Sequence, residues 1–172
     1  MSTKSQFLFI RGRPATGKIT VARIIEKELG WKVFWLHELK NTVVDIVKEH
    51  RIPRLMDDLT ASILRFIMDR GDNVIFVRPS PDKETVNAIT NLVSSYEDYG
   101  ISVFRLTASY DNLLERATSR DDEYRIRTKE ELDGYIQSRE EAVVEGEYII
   151  VTDSKTPRQV ADEIIAIIRK DI

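Results

Sequence analysis

The fold is decided by the stretch Gly12-Arg13-Pro14-Ala15-Thr16-Gly17-Lys18. Its spacing matches G-x-x-x-x-G-K, the Walker A pattern of a phosphate-binding loop, or P-loop. In such a loop the glycines let the backbone turn sharply, backbone N–H groups surround the phosphates, and the lysine adds a positive charge. The stretch therefore predicts a nucleotide site in which Lys18 faces the β- and γ-phosphates. The predicted nucleotide contacts from this region are Gly12, Arg13, Pro14, Ala15, Thr16, Gly17, Lys18, Ile19 and Thr20.

The sequence on either side of the loop supports this interpretation. Residues 7–11 begin with the apolar run Phe-Leu-Phe-Ile, which is typical of a buried strand. Residues 18–29 have apolar side chains at helical spacing, so they predict an amphipathic helix. A strand, a loop and a helix in this order are the context that a phosphate-binding loop requires.

Composition limits the classes of protein that this chain can belong to. Its 172 residues suit one domain, predicted to span residues 1–172, and 42% hydrophobic residues are enough for a core. The formal net charge of −3 makes nucleic acid a less favoured partner. The chain has no cysteine, which fits a reducing compartment, and no apolar run of membrane-spanning length. We therefore expect a cytoplasmic protein without membrane contact.

Strands and helices alternate along almost the whole chain. The strands are predicted as near-continuous apolar runs, so both faces of the sheet should be covered. Alternation of this kind predicts a parallel sheet with right-handed crossovers in a three-layer α/β domain. The five predicted strands are residues 7–11, 32–36, 73–77, 101–107 and 148–151.

Several helix ends carry recognisable signals. Thr128 with Glu131, and Thr156 with Gln159, have the spacing of capping boxes that open helices. Two further helices, residues 41–50 and 55–69, are predicted between the second and third strands. This helical pair would lie near the carboxyl ends of the strands, where open α/β sheets bind ligands.

With this loop and this order of strands and helices, the chain resembles the small P-loop kinases of the nucleoside-monophosphate-kinase-like and shikimate-kinase-like group. Besides the P-loop, residues 103–106 (VFRL), 113–116 (LLER) and Arg120 resemble the fourth strand, the next helix and the arginine-bearing lid of that group. Residues 150–154 (IVTDS) resemble the strand and loop that pass the adenine base. More narrowly, Ile19 after the P-loop lysine resembles an atypical branch that has an apolar residue there.

The resemblance implies a P-loop NTPase fold and a division of labour around it. The P-loop would hold ATP, the helices within residues 37–70 would hold a small-molecule, nucleoside or nucleotide acceptor, and residues 119–127 would form a lid. A guanidinium matches phosphate oxygens through two parallel contacts, so the lid arginines are candidates for binding the transferring phosphate. The implied residues are Arg116, Arg120, Asp153 and Ser154 for the nucleotide, Arg120 and Arg125 with Lys18 for catalysis, and Arg127 for the acceptor.

Three residues on the acceptor side have two interpretations each. Glu38, after the second strand, is a candidate general base or acceptor ligand, with His37 as its orienting neighbour or as an acceptor contact. The alternative is that Glu38 simply opens a solvated helix. Arg78, at the end of the third strand, is a candidate for binding an anionic acceptor or for a surface salt bridge.

Magnesium is expected with ATP, but two usual oxygen ligands are missing from the sequence. Ile19 replaces the Ser or Thr that follows the lysine, and Arg78 stands where related enzymes often carry an acid. Three explanations remain open: the phosphates and waters hold the ion, Glu38 or Asp153 assists, or the site binds nucleotide without turnover. The metal ligands are therefore unknown.

The leading hypothesis from the sequence is an ATP-dependent phosphotransferase with an unknown acceptor. The first alternative is a nucleotide-binding regulatory module with weak or no catalysis, which Ile19 favours. A polynucleotide kinase is the second alternative, and the acidic balance of the chain argues against it. The oligomeric state is left open.

Overall fold

The computed structural model describes residues 4–48, 53–79, 82–119, 126–139 and 141–171. Strands and helices alternate through these residues as the sequence predicts. The strands are β1 (Ser5–Arg11), β2 (Lys32–Trp35), β3 (Val74–Val77), β4 (Tyr99–Thr107) and β5 (Tyr148–Val151). The helices are α1 (Lys18–Leu29), α2 (Leu36–Val47), α3 (Pro53–Arg70), α4 (Lys83–Ser94), α5 (Tyr110–Thr118), α6 (Lys129–Ser138) and α7 (Pro157–Asp171).

The five strands form one parallel sheet in the order β2-β3-β1-β4-β5. The chain moves from β1 past β3 to β2, and later from β3 past β1 to β4. Because right-handed crossovers in opposite directions lie on opposite faces, α1 and α4 cover different sides of the sheet. The carboxyl ends of β1 and β3 therefore border the switch point at which ligands bind in open α/β sheets.

Each face of the central sheet buries its own apolar cluster. On one face Leu8, Ile10 and Phe104 pack with residues of α1 and α7. On the other face Phe7 and Phe9 pack with residues of α2, α3 and α4. The predicted three-layer α/β fold with a five-stranded parallel sheet is confirmed. Among the described residues, no helix combines the length and apolarity needed to cross a membrane.

Strand β5 departs from the prediction that both faces of every strand are covered. Ile150 is 2% exposed and packs on the cluster that includes α7. Ile149 and Val151, on the opposite face, are 52% and 53% exposed. The reason is position, because β5 lies at the edge of the sheet and pairs only with β4.

The second helix begins earlier than the sequence pattern indicates. It was predicted over residues 41–50, but α2 starts at Leu36, directly after β2, with Trp35 as its N-cap. Leu36 is 8% exposed and belongs to the apolar cluster under α3 and α4, so burial draws the first turn onto the sheet. The shift matters for function, because it places His37 and Glu38 in the first turn of a helix.

Both predicted capping boxes are present. The Thr128 side chain accepts from the backbone N–H of Glu131, whose carboxylate accepts from the N–H of Thr128 at 3.1 Å. Thr156 and Gln159 make the corresponding pair of bonds at 2.8 and 3.2 Å. These bonds fix the starts of α6 and α7, the helices on either side of β5 in the chain.

Candidate functional site

The loop between β1 and α1, predicted to bind phosphate, turns tightly through three residues with positive φ angles. Gly12, Ala15 and Gly17 have positive φ angles of 142°, 67° and 87°. A Cβ atom at Gly12 would collide with the carbonyl oxygen of Leu106 on β4, so only glycine fits there. Ala15 is a non-glycine residue in the left-handed region, a conformation that is uncommon and held by its surroundings. The loop is therefore a fixed, tightly turned feature at the carboxyl end of β1.

Helix α1 presents its amino end to this loop. Gly17 is the N-cap and has no side chain that could satisfy the first amide groups of the helix. The first turn of α1 also contains no acidic residue. Both features leave the positive end of the helix dipole suited to an anion.

Lys18 turns back over the loop that precedes it. Its Nζ donates to the carbonyl oxygen of Arg13 at 2.6 Å and to Oγ1 of Thr16 at 3.3 Å. The Thr16 hydroxyl is buried and donates to the same Arg13 carbonyl at 2.9 Å. The lysine ammonium is thus held beside the loop backbone, where a bound phosphate would meet it. Pro14 is half-buried within the same turn.

The side chains at the start of α1 are not suited to coordinate a magnesium ion. Ile19 is half-buried and carries no oxygen, and Thr20 is exposed. The Thr16 hydroxyl is already bonded within the loop. Across the described parts of the chain, no group of three or more His, Asp or Glu side chains could hold a metal ion.

His37 and Glu38 follow β2 at the carboxyl edge of the sheet. The His37 ring stacks on Trp35 with 5.4 Å between ring centroids. The Glu38 side chain is 66% exposed, and its Oε2 lies 3.7 Å from Nη2 of Arg23 on α1. Glu38 is thus drawn toward the outer side of α1, and its role as a base or acceptor ligand stays a prediction.

Arg78 lies next to the strand that leads into the P-loop. Its backbone N–H donates to the carbonyl oxygen of Ile10 at 3.2 Å. Its guanidinium is 18% exposed and donates through Nη2 to Asp57 of α3 at 3.1 Å. The residue is at the predicted edge of the sheet, with a carboxylate of this chain as its partner. Its binding of an acceptor stays a prediction.

Arg116 and Asp153 join the loop after β5, where the resemblance places the adenine base, to α5 and to the residue before it. The Arg116 guanidinium donates to Oγ1 and to the carbonyl oxygen of Thr152 at 2.9 and 2.8 Å. Asp153 Oδ1 accepts from the backbone N–H of Ser109 and from Nδ2 of Asn112, both at 2.8 Å. The bond from the Ser109 amide, followed by that from Asn112, holds the pKa of Asp153 below its usual value of 3.8. Through these bonds both residues hold the main chain of Thr152 and Ser109 in place near the predicted adenine site.

Ser154 and the lid arginines complete the set of predicted site residues. Ser154 follows Asp153 and is exposed. Arg120 and Arg125 lie outside the described residues. Arg127 is exposed directly before the N-cap of α6, and its backbone N–H donates to Oε2 of Glu131 at 2.8 Å. The roles proposed for these residues stay predictions.

A buried ion cluster beneath the P-loop was missed by sequence reasoning. Arg11 and Arg105 are paired neighbours on β1 and β4, and both contact the carboxylate of Glu147, whose side chain is 1% exposed. The distances from Glu147 to Arg11 Nε and Arg105 Nε are 2.9 and 3.1 Å. Arg11 also donates to the carbonyl oxygen of Ala142. The available signal was Arg105 itself, a charged residue between the apolar residues Phe104 and Leu106 of β4.

The cluster ties the segment after α6 to the base of the P-loop. The backbone N–H of Val144 donates to Glu147 Oε1 at 3.2 Å, so the carboxylate also shapes its own loop. A second contact reaches the P-loop directly, because Arg13 Nε lies 3.6 Å from Glu141 Oε2. These contacts therefore connect the segment after α6 to the loop between β1 and α1.

Comparison with solved structures gives the fold a place among known proteins. The APS kinase of Mycobacterium tuberculosis, in complex with AMPPNP and APS, superposes with a TM-score of 0.73 at 11% identity, over 98% of this chain and 99% of that one. The gluconokinase of Sinorhizobium meliloti gives 0.66 at 14% identity, over 96% and 92% of the two chains. The shikimate kinase of Aquifex aeolicus gives 0.64 at 14% identity, over 96% and 97%.

The chain has the fold of the small P-loop kinases. The resemblance stated from the sequence is thereby confirmed at the level of fold, while the narrower resemblance to a branch with an apolar residue after the lysine stays a prediction. No protein-family model matches the chain. A search of curated proteins finds no match either.

Proposed function

We propose that this protein is an ATP-dependent phosphotransferase acting on a small molecule, a nucleoside or a nucleotide. The observation that carries the proposal is the P-loop itself, with positive φ at Gly12, Ala15 and Gly17 and with Lys18 held against the loop. Phosphoryl transfer relies on positioning and charge stabilisation more than on covalent chemistry by the protein. A phosphate cradle with one fixed lysine supplies both.

In this reaction an oxygen of the acceptor attacks the γ-phosphorus of ATP in line. The bond from that phosphorus to the bridging oxygen breaks, and ADP leaves with the electron pair. The acceptor proton passes to solvent or to a carboxylate such as Glu38. Lys18 and the amide groups of the loop would stabilise the negative charge on the transferring phosphoryl oxygens. A magnesium ion bound with ATP would supply charge neutralisation, and the Ile19 side chain at the start of α1 offers no oxygen ligand for it.

The remaining site residues have roles that follow from their positions. Arg116 and Asp153 hold the loops that would contact the base, so they act as positioning residues for ATP. Helices α2 and α3 begin at the carboxyl edge of the sheet, on the side that would take the acceptor. Arg120 and Arg125 are proposed to contact the phosphates, and Arg127 the acceptor, as parts of the lid.

The test is transfer of labelled γ-phosphate from ATP to pooled nucleosides, nucleoside monophosphates, sugars and small acids. Lys18→Ala should abolish the labelled product, because the fixed positive charge is lost. Lys27→Ala, an exposed lysine on the same helix, should leave it unchanged. Equal transfer by both variants would show that the activity does not use this loop.

A nucleotide-binding module without turnover is the second candidate. It is favoured by Ile19 and by Arg78, which stand where oxygen ligands for magnesium are usual. It predicts ATP binding that depends on Lys18, with no labelled product from any pool, and with activity gained in Ile19→Ser. A polynucleotide kinase remains less favoured, since the chain is acidic overall.

A further inference from the structure

A groove between α3 and α4 opens at the carboxyl edge of the sheet. It has a volume of about 270 Å³. Both helices begin at this edge, and the lining residues of α3 run from Asp57 down to Leu64. Seven residues of helix correspond to about 10 Å of length along the helix axis. The groove is therefore long enough for a short chain or a single ring.

Small side chains on the two facing helices create the space. Ala61 of α3 and Ala88 of α4 line the walls, and neither reaches across to the other helix. Leu64 and Ile89 line it as well, at 0% and 6% exposure. The inner part of the groove is consequently apolar, and burial of an apolar group there is favourable.

The mouth of the groove is next to the proposed phosphate site. Arg78 lines the groove, and its backbone N–H donates to the carbonyl oxygen of Ile10 at 3.2 Å. Ile10 lies on β1, two residues before Gly12 of the loop. A ligand whose apolar part lies between the helices thus has its polar end at the carboxyl edge near the P-loop.

The charges at the mouth favour a hydrogen-bond-donating, cationic group over an anion. Asp57 and Glu84 line the groove with two carboxylates, and the one guanidinium among its described lining residues, that of Arg78, donates to Asp57 at 3.1 Å. Asp82, the N-cap of α4, adds a further carboxylate beside Arg78. Lys83 is exposed and does not line the groove.

We propose that this groove binds the phosphoryl acceptor, and that the acceptor is a small amphipathic amino alcohol. Its apolar body would lie between Ala61 and Ala88, its ammonium group would face Glu84, and its hydroxyl would point toward the P-loop. The assignment of the groove as an acceptor site rests on the proposed phosphotransferase function. The binding preference itself does not, so the two are tested separately.

The binding test uses three probes that share a phenyl ring and differ in the polar end: 2-phenylethylamine, 2-phenylethanol and 3-phenylpropionate. Binding is followed by NMR titration of the labelled protein, with the methyl signals of Ala61, Ala88 and Ile89 as reporters. We expect the amine to bind about two- to fivefold more tightly than the carboxylate, the range given by a partly exposed ion pair. Glu84→Gln should reduce this preference.

Variants that fill the groove test the binding site, and the same substitution elsewhere in the protein is their control. Ala61→Leu and Ala88→Leu should each weaken binding of the amine about tenfold or more, because the added side chain occupies the ligand's space. Ala166→Leu, the same change on the exposed side of α7, should leave it unchanged. Equal binding by the filled variants and the wild type, or tighter binding of the carboxylate than of the amine, would overturn the proposal.

The transfer test uses 2-(benzylamino)ethanol as acceptor with labelled ATP. Phosphorylation that Ala61→Leu suppresses through a raised acceptor KM, with the KM for ATP unchanged, supports the assignment. Groove binding of the probes without phosphorylation of this acceptor, while another acceptor is phosphorylated, overturns the acceptor role alone. Groove binding with no transfer to any acceptor counts instead against the phosphotransferase function and, with it, against the assignment.

Discussion

A single methyl group at Gly12 would meet the carbonyl of Leu106, because β1 and β4 are adjacent where the loop leaves the sheet. The φ angle of 142° adds backbone strain for any other residue. We therefore expect Gly12→Ala to destabilise the protein by about 2 kcal/mol or more and to weaken ATP binding.

Gly134→Ala is the control for this change. Gly134 lies within α6, and a Cβ atom there would meet nothing within 4 Å. Replacing a helix-interior glycine should stabilise the protein by up to about 1 kcal/mol. Urea unfolding of both variants checks the sign. A Gly12→Ala variant as stable as the wild type would contradict the loop geometry.

Asp153 makes the stability of the protein depend on pH in the acid range. Its pKa is lowered in the folded protein by the Ser109 amide, so the unfolded chain binds its proton first as the pH falls. The contribution of Asp153 is present above its unfolded pKa, near 3.8, and is lost as the pH falls through the lower folded pKa. The Tm difference between the wild type and Asp153→Asn should therefore be constant from about pH 7 to 5 and shrink below about pH 4.

Thermal melts of the wild type and of Asp153→Asn, measured from about pH 7 to below about pH 4, provide the test. Asp111→Asn, at an exposed carboxylate in the first turn of α5, serves as a control for the loss of one charge near Ser109. A Tm difference that stayed constant down to the lowest pH at which the protein folds would show that Asp153 is not held by these bonds.

At the scale of elements, the segment between α6 and β5 depends on one buried carboxylate. Glu147 faces both Arg11 and Arg105, and removing its charge leaves two buried guanidinium groups without their partner. Breaking a buried ion pair in this way costs about 3 to 5 kcal/mol. We expect Glu147→Gln to lower the free energy of unfolding by this amount and to weaken ATP binding, since Arg11 directly precedes the P-loop.

Glu145→Gln is the matched control, because Glu145 is exposed two residues earlier in the same segment. Its effect should stay within about 0.5 kcal/mol. Urea unfolding and ATP titration of both variants provide the comparison. Similar effects of the two substitutions would mean that the buried cluster does not stabilise this segment.

The elements show what the sequence could and could not predict. Local signals were enough for the P-loop and for the capping boxes at Thr128 and Thr156, because their bonds join residues that are close in the chain. The start of α2 at Leu36 depends on burial against β-sheet residues far away in sequence, which no local pattern reports. The partners of Arg11 and Arg105 were hidden for the same reason, since Glu147 is 136 positions from Arg11.

The sequence predicted one part of the candidate site, the loop after β1, and gave no sign of another part, the groove. The backbone conformation around Gly12 and Gly17 follows from the motif, and so does the contact of Lys18 with the loop. The groove between α3 and α4 depends on which faces of two helices meet, and Ala61 and Ala88 carry no motif. Sequence reasoning therefore predicted the loop and its place after β1, and left the groove unseen.

At the scale of the whole molecule, the sheet order brings the separate parts of the site to one edge. The carboxyl ends of β1 and β3 border the switch point, with the P-loop after one strand and Arg78 after the other. The loops held by Arg116 and Asp153 lie beyond β4 and β5. We propose that this edge binds the β- and γ-phosphates of a nucleotide, because the transferase and regulatory hypotheses both require such binding.

The most direct test is calorimetric titration of the protein with ATP, ADP and AMP in the presence of magnesium. We expect ATP and ADP to bind and AMP to bind at least about tenfold more weakly, because the loop contacts phosphates that AMP lacks. Lys18→Ala should weaken ATP binding about tenfold or more, and Lys27→Ala should not. Equal affinity for AMP and ATP, or ATP binding unaffected by Lys18→Ala, would contradict the account.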